Sequence, residues 1–262
     1  MAERLTPHAR EKGGVGRSGL RLWAYVCLIL GTAGLAVVQN GLMKLPTITD
    51  GNGLLAALNA DSSMMVYASV ALVLQAIGCC AAPLFAFLLA EGVEKTKHFG
   101  KYFLRVLAVA VACELPYNLA ASGKWLDTAS RNPAFGLVLA LAMIWFMKQY
   151  GKKQLGHIAV RIFVAVAAVI WALMLGISEG APLVVMTLVL WLLRKKKLVY
   201  MVFGCLAALA CSLFSPFYLL SPMVFILLHF YNGEKGEENV ALKYGAYPAV
   251  LLILGLIATY VL

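Results

Sequence analysis

The sequence predicts an all-α fold: a polytopic bundle of about nine transmembrane helices with its N-terminus in the cytoplasm. Three observations carry this. Of 262 residues, 62% are hydrophobic and 13% are charged, about half the charged share of an ordinary soluble domain. Mean hydropathy is +0.85, more apolar surface than a soluble globule of this size can bury. Finally, Lys and Arg cluster between apolar runs. With nine spans and a cytoplasmic N-terminus, only Lys44, Lys124 and Arg131 of the 22 Lys and Arg fall outside, as topology set by positive charge requires.

The spans are read at 20–43, 64–90, 99–121, 133–149, 157–177, 180–193, 198–214, 217–231 and 246–262. Each is taken as a helix, because lipid satisfies no backbone hydrogen bond. Residues 1–19 are polar and basic and read as a flexible cytoplasmic tail; 20–262 form one helical domain. In the tail, Gly14-Val15-Gly16-Arg17-Ser18-Gly19 fits the dinucleotide fingerprint in letters only, since no strand precedes it. The second span contains Pro83, where a kink is expected. Residues 53–60 fit a short helix lying on the outer surface. The sixth span has only 14 residues. Arg194–Lys197 anchors the cytoplasmic face rather than binding nucleic acid. Cys27, Cys79, Cys80, Cys113, Cys205 and Cys211 all lie in apolar runs and read as small packing residues. No metal, Ser-His-Asp or phosphate-loop pattern stands out, and no metal is expected.

Function rests on polar residues at membrane depth, where they are expensive. Glu114 lies 16 residues beyond His98, about 24 Å up the third span at 1.5 Å per residue. Asn118 follows one turn later on the same face. Pro116 between them removes a backbone hydrogen bond, a break tolerated where it lines a cavity. At the cytoplasmic end, Glu91 closes the second span, and Lys97, Lys101 and Arg105 repeat every four residues as a basic stripe. Glu91 is placed to pair with Arg105. Such a stripe can grip phosphates of a cytosolic donor such as coenzyme A, or anionic lipid. On the outer side, Lys124, Asp127, Arg131, Asn132 and Glu179 would join Glu114 and Asn118 in a polar mouth, with Asn132 capping the fourth span. The basic stripe and Glu114 lie about 15–20 Å apart by helix rise. His229 reads as a helix-end residue.

The run Pro83-Leu84-Phe85-Ala86-Phe87-Leu88-Leu89-Ala90-Glu91-Gly92, then Thr96, Lys101-Tyr102 and Leu104-Arg105, then Glu114-Leu115-Pro116-Tyr117-Asn118-Leu119, Asn132 and Phe135 resembles the TraX family of bacterial membrane proteins. Tyr231-Asn232-Gly233, Gly236 and Tyr247-Pro248 extend the likeness, which covers roughly residues 65–255. The resemblance implies a multispan inner-membrane protein, named for an acetylase of the conjugative pilin N-terminus. It implies transfer of an acetyl group from acetyl-CoA, or another acyl-CoA, to an amine or hydroxyl on a peptide or small-molecule acceptor. Glu114 or Glu179 would then be the base, and Glu91, Lys101, Arg105, Asn118 and Asn132 the binding residues. Two departures stand out. The family's Asp-His pair in the first helix is replaced by Leu30-Gly31-Thr32-Ala33, and the His expected after Tyr-Pro by Ala249-Val250-Leu251. A carrier or a non-catalytic scaffold for an assembly machine is therefore the alternative reading. The expected partners are the lipid bilayer, the acyl-CoA and the acceptor, with no nucleic acid.

Overall fold

The computed structural model describes residues 14–45, 53, 58–59, 61–151, 154–234, 236 and 240–262. Among these the chain is helical, and β-type pairing is confined to the isolated bridges Val15–Tyr231 and Arg131–Ile177. Residues 1–13, and most of the 53–60 surface helix expected above, lie outside the described residues. Helix α1 spans Arg17–Thr32 and winds on as a π-helical stretch, Ala33–Leu42. It starts three residues before the expected span. The residues ahead of it are tied down: Val15 N–H donates to the Phe230 carbonyl at 2.9 Å, and Arg17 N–H to the Glu234 carbonyl at 2.8 Å.

Helices α2 (Ser62–Cys79) and α3 (Ala81–Lys95) form the second span. The break falls at Cys80, upstream of Pro83. The reason is steric, because a proline ring crowds the carbonyl four residues back, here that of Cys79. Asp61 caps α2, its carboxylate accepting from Ser63 N–H at 2.8 Å. Helix α4 (Phe99–Ser122) runs unbroken through Pro116 and ends at Gly123, whose φ of 71° favours a residue without Cβ. Helices α5 (Ala134–Gln149), α6 (Leu155–Met174), α7 (Gly180–Leu193) and α8 (Lys197–Ala210) follow. The expected eighth helix is mostly 3-10 in character, Pro216–Met223, with α-helical winding only over α9 (Val224–His229). Pro222 denies the Tyr218 carbonyl its helical donor, and Ser221 Oγ donates to that carbonyl instead at 2.7 Å. Helix α10 is Val240–Tyr260.

Among the described residues four stretches are long and apolar enough to cross a membrane, Arg17–Leu42, Ser62–Lys95, Phe99–Ser122 and Leu155–Met174; the other apolar helices are shorter. Helix α7, buried on nearly all sides, is the hub, packing against α3, α5, α6 and α8. Helix α10 lies along α4. Small residues allow the closest crossings. A Cβ on Gly78 would sit 2.6 Å from Gly31 Cα, and one on Gly136 would sit 2.9 Å from Gly180 Cα.

Candidate functional site

Helices α5 and α7 both start deep in the bundle, and this places the polar residues. Asn132, fully buried, precedes α5. Its Nδ2 donates to the Ala110 carbonyl at 2.9 Å and to Glu114 Oε2 at 2.6 Å. Its Oδ1 accepts from Ala134 N–H at 3.0 Å, so it caps α5 as its residue type suggests. Ala110 is 11 residues into α4, about 16 Å from its start. The chain after Gly123 therefore dips to the middle of α4 before α5 begins. Arg131 N–H donates to the Gly176 carbonyl at 2.8 Å, and Ser178 N–H to the Arg131 carbonyl at 2.9 Å. This pairing draws the start of α7 to the same depth.

Glu114 sits against this dip. Arg131 Nη1 lies 3.2 Å from Oε1, and Asn132 N–H donates to Oε2 at 3.2 Å. The carboxylate is thus paired. Asn118, one turn on, is buried, and its Oδ1 meets no hydrogen-bond donor among the described residues. Glu179 does not join this group. It precedes α7 in a left-handed conformation, φ 56°, and its side chain faces Tyr218, Cys79 and Cys211. The single outer mouth expected from the sequence is therefore two separate polar places.

The expected pair of Glu91 with Arg105 does not form. Glu91 Oε2 takes Arg17 Nε at 2.9 Å, and its Oε1 takes Lys95 Nζ at 2.5 Å as well as the Tyr231 hydroxyl. Helix α1 returns to the end of α3, so Arg17 reaches Glu91 first. Arg105 instead faces a cavity of about 320 Å³. Lys101 is exposed and off its wall, although it lies one turn from Arg105 on the same face of α4.

The cavity has a basic mouth of Arg17, Arg21, Lys95 and Arg105. Its shaft carries Tyr25, Phe85, Leu88 and Val109, and its floor is Pro133, Ala134 and Leu183. The floor is next in sequence to Asn132, which holds Glu114. Tyr247 also lines the cavity and packs with Cys113 and Tyr117, the neighbours of Glu114, within electrostatic reach of the carboxylate itself. The cavity wall thus joins cations of α1, α3 and α4 to the residues that follow Asn132, while Glu114 itself is not on that wall. Arg17, Arg21 and Tyr247 were missed as site residues. The signal was present: Arg17, Arg21, Tyr25 and Leu28 follow helical spacing on one face of α1. Reading residues up to 19 as a tail hid Arg17, and Arg21 counted only among the charges that set topology.

Comparison with known families finds a match to the model described as TraX protein, over residues 55–258. Comparison with curated proteins and with solved structures gives none. The match takes in α2 through nearly all of α10, with Glu91, Arg105, Glu114, Asn132, Glu179 and Tyr247, and on that extent the chain belongs to the TraX family.

Proposed function

We propose that this chain is a multi-pass protein of the bacterial inner membrane, nine spans with its N-terminus in the cytoplasm, that transfers a short acyl group from acyl-CoA to an amine or hydroxyl acceptor. The observation that carries the reading is the cavity: cationic at the mouth, apolar and aromatic along the shaft, and reaching Pro133 and Ala134, beside the Asn132 that holds Glu114. Those zones complement a donor with phosphates at one end and a thioester at the other. Arg21 and Arg105 would hold phosphate, and the pantetheine arm would lie against Phe85, Leu88 and Val109. The acceptor nitrogen or oxygen attacks the thioester carbonyl, a new C–N or C–O bond forms, and the C–S bond breaks. Glu114 takes the acceptor proton, and the departing thiolate is reprotonated. Glu114 is favoured over Glu179 as the base because the cavity floor adjoins its partner Asn132.

The test uses purified protein in lipid nanodiscs with radiolabelled acetyl-CoA and an acceptor-bearing cell extract. Arg105→Ala should weaken donor binding, and Glu114→Gln should slow transfer about 10²–10⁴-fold, the usual worth of a general base. Equal transfer by Glu114→Gln would remove that residue from the chemistry. A second reading, a carrier or assembly scaffold, draws on the pairing of Glu114 with Arg131 and Asn132. It expects Glu114→Gln to lower stability alone and no protein to transfer label.

A further inference from the structure

Residues 14–17 form a strap beside the cavity mouth. Val15 N–H is bonded to the Phe230 carbonyl, the Asn232 N–H to the Val15 carbonyl at 3.2 Å, and Arg17 N–H to the Glu234 carbonyl. The strap ends in Arg17, whose guanidinium meets Glu91. Glu91 also binds Lys95 and the Tyr231 hydroxyl, while Lys95 reaches the Gly233 carbonyl at 3.4 Å. One carboxylate therefore ties together the start of α1, the end of α3 and the segment after α9. The two cations it holds, Arg17 and Lys95, are both part of the cavity wall. Any phosphate entering the mouth must compete with Glu91 for them. The Glu91 side chain is only 14% exposed and that of Lys95 is 48% exposed, so the Lys95 arm is the one solvent already reaches.

We propose that Glu91 is an internal counter-ion that latches the 14–17 strap to the segment at 230–234, and that a phosphate-bearing ligand releases the latch by taking Arg17 and Lys95 from it. The proposal rests on the reading of the cavity as a site for an anionic donor. It adds that a carboxylate of the chain itself already engages two of the site's cations. Binding is then an exchange of one anion for another, with the strap freed as the cations turn to the ligand. Glu91 acts here through Arg17 and Lys95 and is a positioning residue.

The experiment places cysteines at Val15 and Asn232 and measures their disulfide cross-linking in nanodiscs, with and without inorganic diphosphate or acetyl-CoA, beside the affinity for each. Saturating ligand should cut cross-linking severalfold. Glu91→Gln should cut it without ligand and should bind diphosphate several times more tightly, because the competitor is gone. Tyr231→Phe keeps the carboxylate on both cations, so it should leave affinity within about twofold and controls for general loosening. Cross-linking that ignores both ligand and Glu91→Gln would overturn the latch, as would weaker binding by Glu91→Gln. Release by diphosphate but not by acetyl-CoA would support the latch while removing acyl-CoA as its ligand.

Discussion

Replacing Asn132 by alanine should cost about 3 kcal/mol of stability, and the structure shows where each part arises. The side chain is fully buried and makes three bonds. Losing the helix cap on Ala134 costs about 1 kcal/mol. The bond to the Ala110 carbonyl is an interhelical one in an apolar setting, worth about 0.6 kcal/mol. The bond to Glu114 is charge-assisted and contributes about 1.5 kcal/mol at the low end of its class. The sum corresponds to more than a hundredfold in the folding equilibrium, at about 1.4 kcal/mol per decade. Arg131 is the control. It faces the same carboxylate, but its side chain is 45% exposed, so Arg131→Ala should cost no more than about 1 kcal/mol. Equilibrium unfolding in bicelles measures both. A double-mutant cycle of Asn132→Ala with Glu114→Gln should show a coupling above about 1 kcal/mol. Should the two alanine variants lose equal stability, the view of Asn132 as the rivet between α4 and α5 is wrong.

Three further outcomes are expected. Gly78→Ala should destabilise by about 1–3 kcal/mol through overpacking, because its Cβ meets backbone at Gly31, whereas Gly100→Ala, with nothing within 4 Å, should be neutral or gain up to about 1 kcal/mol; unfolding of the pair checks this. Val109→Trp should narrow the cavity shaft and lower acetyl-CoA affinity at least tenfold in a nanodisc binding assay while leaving the melting temperature close to wild type. The Ala129 N–H, then the Ser122 hydroxyl, hold the Asp127 carboxyl below the usual aspartate range. A lowered folded value means stabilisation that is complete at neutral pH and lost as the pH falls below about 3.9. Asp127→Asn should erase that acid-dependent part of the melting curve, read by comparing melts at pH 6 and pH 3.

Much of the site was legible in the sequence because lipid makes polarity rare. Glu114 stood out as the polar member of an apolar run, and the cap at Asn132 followed from its place before Pro133 at the start of the fourth span. Arg105 was legible as cationic but not as the member of its stripe that faces inward, since periodicity assigns a face without naming its neighbour. Glu91 shows the same limit: its choice of Arg17 over Arg105 depends on which helices end side by side. Tyr247 was legible only as part of the Tyr247-Pro248 family likeness, because a tyrosine near a proline in an apolar helix shows no role until a cavity opens beside it.

Composition and charge placement alone determined that this is an all-helical membrane protein, because burying so many apolar side chains leaves few other solutions. Residue order determined the family, through polar residues held at set intervals across about fifty positions. Only the tertiary structure decided that α5 and α7 begin halfway through the bundle and that Arg17, Arg21, Lys95 and Arg105 share one cavity with the residues that follow Asn132. It also decided that Glu179 stands apart. Those outcomes depend on how helices pack around Gly31, Gly78, Gly136 and Gly180, and the distance between two side chains on different helices is set by that packing rather than by their separation along the chain.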